Sequence, residues 1–135
     1  MSEDSVSDLK DRIDTIEEAY EFMLAYAAQG RERDDESEAG GIRAFLAKAV
    51  GALADIDAAA QEQAALVGGD QWGAYLDILE ADAARARTLL EFAQMQPILG
   101  SELIDNLNAT NHMRTLLTDI FLLDSALSAH ADGDA

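Results

Sequence analysis

Residues 6–27 read VSDLKDRIDTIEEAYEFMLAYA, in which apolar residues recur at alternating spacings of three and four. This spacing is typical of one face of an α-helix, because one turn takes 3.6 residues. The residues on that face are Val6, Leu9, Ile13, Ile16, Tyr20, Met23 and Ala27. Acidic residues fill many other positions near the beginning, where they favour the helix dipole. The stretch predicts an amphipathic helix over residues 5–29.

Two more stretches carry the same spacing of apolar or small residues. The first predicts a helix over residues 42–66, whose inner face is Ile42, Leu46, Ala49, Leu53, Ile56, Ala60 and Gln63. The second predicts a helix over residues 71–95, whose inner face is Trp72, Leu76, Leu79, Ala83, Ala86, Leu90 and Ala93. Gly68 and Gly69 separate the two, and Pro97 closes the second because a helix rarely continues through the residue before proline.

The fourth stretch, residues 98–129, is the most apolar, but polar residues interrupt its spacing. Its stripe is Leu99, Leu103, Asn106, Thr110, Met113, Leu117, Ile120, Asp124 and Leu127. We expect an acidic solvated loop at 30–41 and a frayed tail at 130–135. The connections are too short to return along a helix of about 25 residues, roughly 38 Å, so neighbouring helices must be antiparallel. The prediction is an all-α, up-down-up-down four-helix bundle of either hand, forming a single domain over residues 1–135.

The composition excludes several classes of function. The chain has 27 acidic and 9 basic residues, a formal net charge of −18 and no cysteine. Disulfides and thiolate sites are therefore excluded, and binding to nucleic acid or to anionic membranes is disfavoured. A polar, acidic amino terminus predicts a bacterial cytoplasmic protein, although a periplasm also fits the lack of cysteine. The acidity fits either a hydrated surface in a saline cytoplasm or a docking surface for a basic protein.

The two histidines give little support for a metal site or a catalytic role. A carboxylate-bridged dimetal centre needs Glu-x-x-His pairs, and neither His112 nor His130 has glutamate three residues earlier. An oxygen-rich metal site at Asn108, His112 and Asp119 and a phosphotransfer role for His112 are weaker alternatives. The run at 112–119 is similar to the phosphorylation box of sensor kinases but is one residue short, which turns its arginine and threonine to the wrong face. We therefore predict no metal, no cofactor and no catalytic residue.

Three polar residues stand in the apolar stripe of the fourth helix. Asp124 is expected to form a salt bridge with Lys10 or Arg12, or to be exposed at a fraying end, because an unpaired buried charge is costly. Asn106 and Thr110 either fix the register of the bundle or line a small pocket at its alanine-rich middle. The predicted pocket residues are Tyr20, Met23, Ala49, Leu53, Ala83, Ala86, Asn106, Thr110 and Met113.

The segment Ile120-Phe121-Leu122-Leu123 is apolar on every side of a helix. A helix of that kind needs a second covering surface, so we predict a homodimer. Its expected interface residues are Leu116, Ile120, Phe121 and Leu123. The predicted function is that of a non-enzymatic, acidic accessory protein that docks on a partner protein and modulates its assembly or activity. The alternative is a small-ligand binding or sensing protein that uses the pocket near Asn106 and Thr110.

Overall fold

The computed structural model describes residues 2–34, 41–67 and 70–133, and the side chains of residues 8–34, 41–56, 58–62 and 71–129. Within these ranges the chain is all-helical and contains no strand, which confirms the predicted all-α class. The six helices in these ranges are α1 (Ser2–Ala27), α2 (Ile42–Leu53), α3 (Ile56–Val67), α4 (Asp70–Gln94), α5 (Ser101–Ala109) and α6 (Asn111–Gly133). The predicted tail is helical to Gly133, while residues 35–40 of the predicted loop lie outside the described ranges.

The second predicted helix is present as two, because the chain turns at Ala54 and Asp55. Asp55 has a φ of +60°, in the left-handed region that side chains other than glycine rarely adopt. The end of α2 leaves carbonyl groups without helical partners. Arg12 of α1 donates from Nη1 to the carbonyl oxygens of Ala52, at 3.2 Å, and of Ala54. The break between α2 and α3 is thus held from outside by α1.

The fourth predicted helix is also present as two, with the break at Thr110. The Thr110 hydroxyl donates to the carbonyl of Leu107 (2.9 Å) and accepts from the amide of Met113 (3.2 Å). It therefore caps the beginning of α6, in the manner of serine and threonine at helix N-termini. The break changes which residues face inward. In α5, Asn108 is buried and Asn106 is exposed, contrary to the predicted stripe.

The core forms where α1 and α4 pack against the shorter helices. α1 contacts α2, α3, α5 and α6, and α4 contacts the same four. The alanine positions Ala49, Ala83 and Ala86 are all buried in the core. Small residues at these positions let neighbouring backbones approach one another.

A polar cluster, here called the Arg43 clamp, ties the beginning of α2 to the segment between α4 and α5. The Arg43 guanidinium donates to the Asp34 carboxylate, with Nε to Oδ2 at 2.7 Å, and the Leu99 amide donates to Asp34 Oδ1 at 2.9 Å. Burial alone raises the pKa of Asp34, but the hydrogen bonds from Arg43 and Leu99 outweigh it and lower that pKa. Arg43 also donates to the carbonyl oxygens of Gln94 (3.1 Å), Gln96 (2.9 Å) and Pro97 (3.2 Å).

A second set of bonds fastens the end of α1 beside the clamp. The Ser101 hydroxyl donates to the Tyr26 carbonyl (2.7 Å) and accepts from the Arg31 amide (2.8 Å). The Ser101 amide in turn donates to the Arg31 carbonyl at 2.8 Å, and the Tyr26 hydroxyl donates to the carbonyl of Leu99. Residues 31–34 are therefore fixed against the bundle. These residues form a loop, as predicted, and Glu32 and Arg33 are exposed. The expectation that the loop buries nothing is wrong for Asp34, whose side chain is 5 % exposed.

Candidate functional site

An apolar groove lies between the first turns of α4 and the second half of α6. Its volume is about 260 Å³, and it is lined by Gln71, Trp72, Tyr75, Leu122, Leu123 and Ala126. Leu122 is 60 % exposed, and Ile78, one helical turn beyond Tyr75, is 55 % exposed. Large apolar side chains with this much exposure beside a concave surface are typical of contact sites. We call this feature the α4–α6 groove.

A pair of carboxyl groups adjoins the groove. The carboxyl groups of Asp82 in α4 and Asp119 in α6 lie close to each other, and Asp119 Oδ2 is buried without a hydrogen-bond partner among the described residues. Burial, together with the neighbouring carboxyl group of Asp82, raises the pKa of Asp119 to about 7. Asp119 therefore holds its proton to higher pH, because two adjacent carboxyl groups do not both ionise easily. Arg85 offsets part of the charge, since its Nη1 lies 3.3 Å from Asp82 Oδ1.

Tyr75 joins the groove to this carboxyl pair. Its ring lines the groove, and its hydroxyl donates to the backbone carbonyl of Asp119 at 2.6 Å. Burial, followed by the charges of Asp119 and Asp82, raises the pKa of Tyr75, so the phenol stays a neutral donor. One side chain of α4 thus holds the α6 backbone at the carboxyl pair while it forms the wall of the groove. The two features make a single site.

The predicted pocket at the alanine-rich middle is not arranged as expected. Met23, Ala49, Ala83, Ala86 and Met113 are buried in the core, and Leu53 is buried as well. Tyr20 and Thr110 are half-buried, while Asn106 is exposed. The buried asparagine is Asn108, which is 6 % exposed and whose two side-chain polar atoms have no hydrogen-bond partner among the described residues. The predicted stripe missed Asn108 because it continued in phase through the break at Thr110.

We expect Asn108→Leu to stabilise the protein by about 1–2 kcal/mol, because a buried amide without hydrogen bonds costs about that much. Leucine has a similar volume and needs no partner. Denaturant unfolding of the variant and the wild type measures the difference. The control is Asn106→Leu on the exposed face of α5, which should change stability by less than about 0.5 kcal/mol. A loss of stability in Asn108→Leu would show that the amide makes favourable contacts.

Most of the predicted dimer interface lies inside the chain's own core. Leu116, Ile120 and Leu123 are at most 1 % exposed, and only Phe121, at 50 %, is available to a partner. The apolar run is therefore largely explained by packing within one molecule. Leu122 and Phe121 are the residues left exposed on α6, and Leu122 is the one that lines the groove. The sequence signal for Leu122 was this same run, but its position beside α4 needed the structure.

The proposed oxygen-rich site is not formed. Asn108 is buried, His112 is exposed, and Asp119 is paired with Asp82 instead. The described residues hold no group of three or more histidine, aspartate or glutamate side chains suited to a metal ion. His112 has no described partner that would give it a chemical role.

Asp124 is half-buried and lies near Glu17 of α1. Burial, and then the charge of Asp124, raises the pKa of Glu17. Among the described side chains, Asp124 forms no salt bridge with Lys10 or Arg12. Lys10 is exposed, while Arg12 pairs with Asp8 at 3.1 Å and caps α2. The predicted pairing is therefore corrected, since the end of α2 takes the Arg12 side chain.

Two other surface features are weaker candidates. A cleft of about 390 Å³ between α1 and α2 contains Arg12, whose bonds to the end of α2 give it a structural explanation. Phe92, Met95 and Ile98, around the end of α4, are also exposed. The α4–α6 groove differs from both, because it is apolar, concave and adjoins a carboxyl pair.

Comparisons of the chain with protein-family models, curated proteins and solved structures find no match. Within the described residues, no helix has the length and apolar content needed to span a bilayer. The groove and the carboxyl pair are therefore the features of the molecule that indicate a function.

Proposed function

We propose that this chain is a non-enzymatic cytoplasmic accessory protein that binds a partner protein through the α4–α6 groove and modulates that partner's assembly or activity. The exposure of Leu122 and Ile78 beside the aromatic wall of Trp72 and Tyr75 carries the proposal. Aromatic and large aliphatic groups of this kind form the buried centres of protein interfaces. The high net negative charge keeps the rest of the surface hydrated.

The finer architecture that we propose is an antiparallel four-helix bundle in which α2 with α3, and α5 with α6, each form one broken rod. Contacts between helix ends support this arrangement. Arg12, early in α1, reaches the end of α2, and Arg43, early in α2, reaches Gln94 at the end of α4. Tyr75, early in α4, reaches Asp119 in α6. An antiparallel α4 and α6 give the groove two helical walls.

A small-molecule ligand is the less favoured occupant. The groove is smaller than the roughly 300–1,000 Å³ usual for small-molecule pockets. Of the residues that the sequence placed around a ligand in the middle of the bundle, Met23 and Ala86 are buried and Asn106 is exposed, which does not favour an open pocket there. A protein surface, by contrast, needs only part of its area to enter a shallow groove.

Photo-crosslinking in the cells that make the protein tests this proposal. Benzoylphenylalanine in place of Leu122 should give a discrete adduct with a second protein, because this position lines the groove. The same residue in place of Thr88, exposed on α4 and not part of the groove lining, should give little adduct. Equal adducts at both positions, or none at position 122, would reject the groove as a docking site. An adduct of twice the chain's 14.5 kDa would identify a second copy as the partner.

A further inference from the structure

The shape of the groove restricts how a partner segment enters it. Both walls are helices, whose backbone groups bond within each helix, so the groove offers no strand edge to extend. Among the recurring modes of peptide recognition, the one that matches an apolar groove between two helices is an amphipathic helix laid along it. The lining residues Leu122 and Ala126 are four residues apart on α6, which is about 6 Å along its axis. That length accommodates apolar anchors from about one turn of a partner helix.

The negative charge near the groove favours a partner segment of positive charge. The carboxyl pair of Asp82 and Asp119 carries two negative charges when fully ionised, and Arg85 offsets one of them. His112, two turns before Asp119 on α6, is exposed, and Glu17 of α1 lies near Asp124 rather than near the pair. The chain as a whole carries −18, so an acidic partner is repelled and a basic one is attracted over distance.

We infer that the partner segment is a basic amphipathic helix, which places two or three apolar side chains in the α4–α6 groove and a lysine or arginine beside Asp82 and Asp119. This inference rests on the proposed function, and it names the partner by its chemistry. The groove contacts the apolar side chains of the partner helix. The carboxylate that Arg85 does not neutralise attracts its lysine or arginine. Tyr75, which contacts both features, fixes the distance between them.

Binding of such a helix is expected to release a proton. A cation beside the pair favours ionisation of Asp119, whereas in the free protein burial and Asp82 keep the proton on Asp119 up to about pH 7. Affinity should therefore rise between pH 6 and pH 8. Without the carboxyl group of Asp119, this rise should disappear.

The experiment uses two synthetic 18-residue peptides as probes. Both carry leucine at helical spacings of three and four, and the other positions are lysine in one and glutamate in the other. Trp72 is the chain's only tryptophan and lines the groove, so its fluorescence reports binding there. At 150 mM salt we expect saturable binding of the lysine peptide, at least about tenfold tighter than the glutamate peptide. Equal affinity for both peptides would overturn the basic character of the partner.

Paired variants separate groove binding from general attraction to an acidic protein. Leu122→Asp should weaken binding of the lysine peptide by about tenfold or more, because it removes an apolar contact in the groove. The negative charge that it adds would by itself strengthen binding of this peptide. Phe121→Asp makes the same change at a residue outside the groove lining and should alter affinity by less than about twofold. Asp119→Asn should abolish the rise in affinity between pH 6 and pH 8, whereas Asp105→Asn, exposed on α5, and His112→Gln should preserve it.

The outcomes distinguish this inference from the proposed function. Equal weakening by Leu122→Asp and Phe121→Asp, or a pH dependence that survives Asp119→Asn, would overturn the inference. Crosslinks at position 122 in cells would then still support a docking groove with a partner of other chemistry. Peptide binding with the expected pattern, but no crosslinks at position 122, would instead reject the proposed function.

Discussion

Asp119→Asn is expected to stabilise the protein most at pH 8, by roughly a third of that amount at pH 5, and hardly at all below pH 4. The pKa of Asp119 is raised from an unfolded value of 3.8 to about 7 by burial and by Asp82. A raised folded pKa means that folding retains a proton, so the stability present below about pH 4 is lost as pH rises through 7. Asparagine carries no charge and can donate a hydrogen bond to Asp82. Solvent screening of this half-buried pair limits the gain at pH 8 to about 1–2 kcal/mol, roughly 3–8 °C in Tm.

Thermal unfolding at pH 5 and pH 8 measures this effect. Asp77→Asn, which removes a carboxylate from an exposed position on α4, is the matched control and should change Tm equally at both pH values. Glu17, whose pKa burial and Asp124 also raise, contributes its own pH dependence to every variant and cancels in the comparison. If Asp119→Asn shifted Tm by the same amount at pH 5 and pH 8, the pKa of Asp119 would not be raised in the folded protein.

The sequence predicted best the helices whose apolar spacing continues without a break from end to end. α1 and α4 match their predicted ranges within a few residues, because their apolar spacing, end signals and tertiary contacts agree. The break between α2 and α3 gave no such signal. Leu53, Ile56 and Ala60 keep the helical spacing across it, and Arg12, which holds the break, lies about forty residues away in sequence.

The break at Thr110 shows how one residue decides the phase of a helix. Threonine is a favoured helix cap, but its place in a regular stripe suggested an inward-facing residue instead. With the stripe continued through Thr110, Asn106 was predicted inside. Because a new helix begins there, α5 is free to turn Asn108 inward.

The candidate site combines residues that pattern analysis assigns to different classes. Asp82 and Asp119 each flank an apolar stripe, where charged residues normally face solvent. Their pairing depends on α4 and α6 being neighbours at one height, which periodicity does not determine. The sequence indicated Leu122 as part of an apolar run larger than one inner face needs. Its position in a wall of the groove depends on Trp72 and Tyr75, which lie opposite.

Arg43→Ala is expected to lower stability by about 2–4 kcal/mol, or roughly 10 °C in Tm. The Asp34 side chain is only 5 % exposed, so loss of its partner leaves a carboxylate that is buried and stripped of its cation. Three carbonyl oxygens, those of Gln94, Gln96 and Pro97, lose a donor as well. The Asp34 pKa is lowered in the folded state, so the pair's contribution is present at neutral pH and is lost as pH falls through that lowered value.

Two comparisons make the Arg43 result specific to the clamp. Arg85→Ala removes an arginine that is 57 % exposed in its salt bridge with Asp82, and should cost less than about 1 kcal/mol. The double variant Arg43→Ala with Asp34→Asn should recover part of the loss, because it leaves no buried charge unpaired. Urea unfolding of the wild type, Arg43→Ala, Asp34→Asn and the double variant gives the coupling energy between the two side chains. A double variant as unstable as the sum of its singles would show that the clamp acts through the carbonyl bonds alone, whereas recovery would identify the buried carboxylate as the reason that Arg43 is needed.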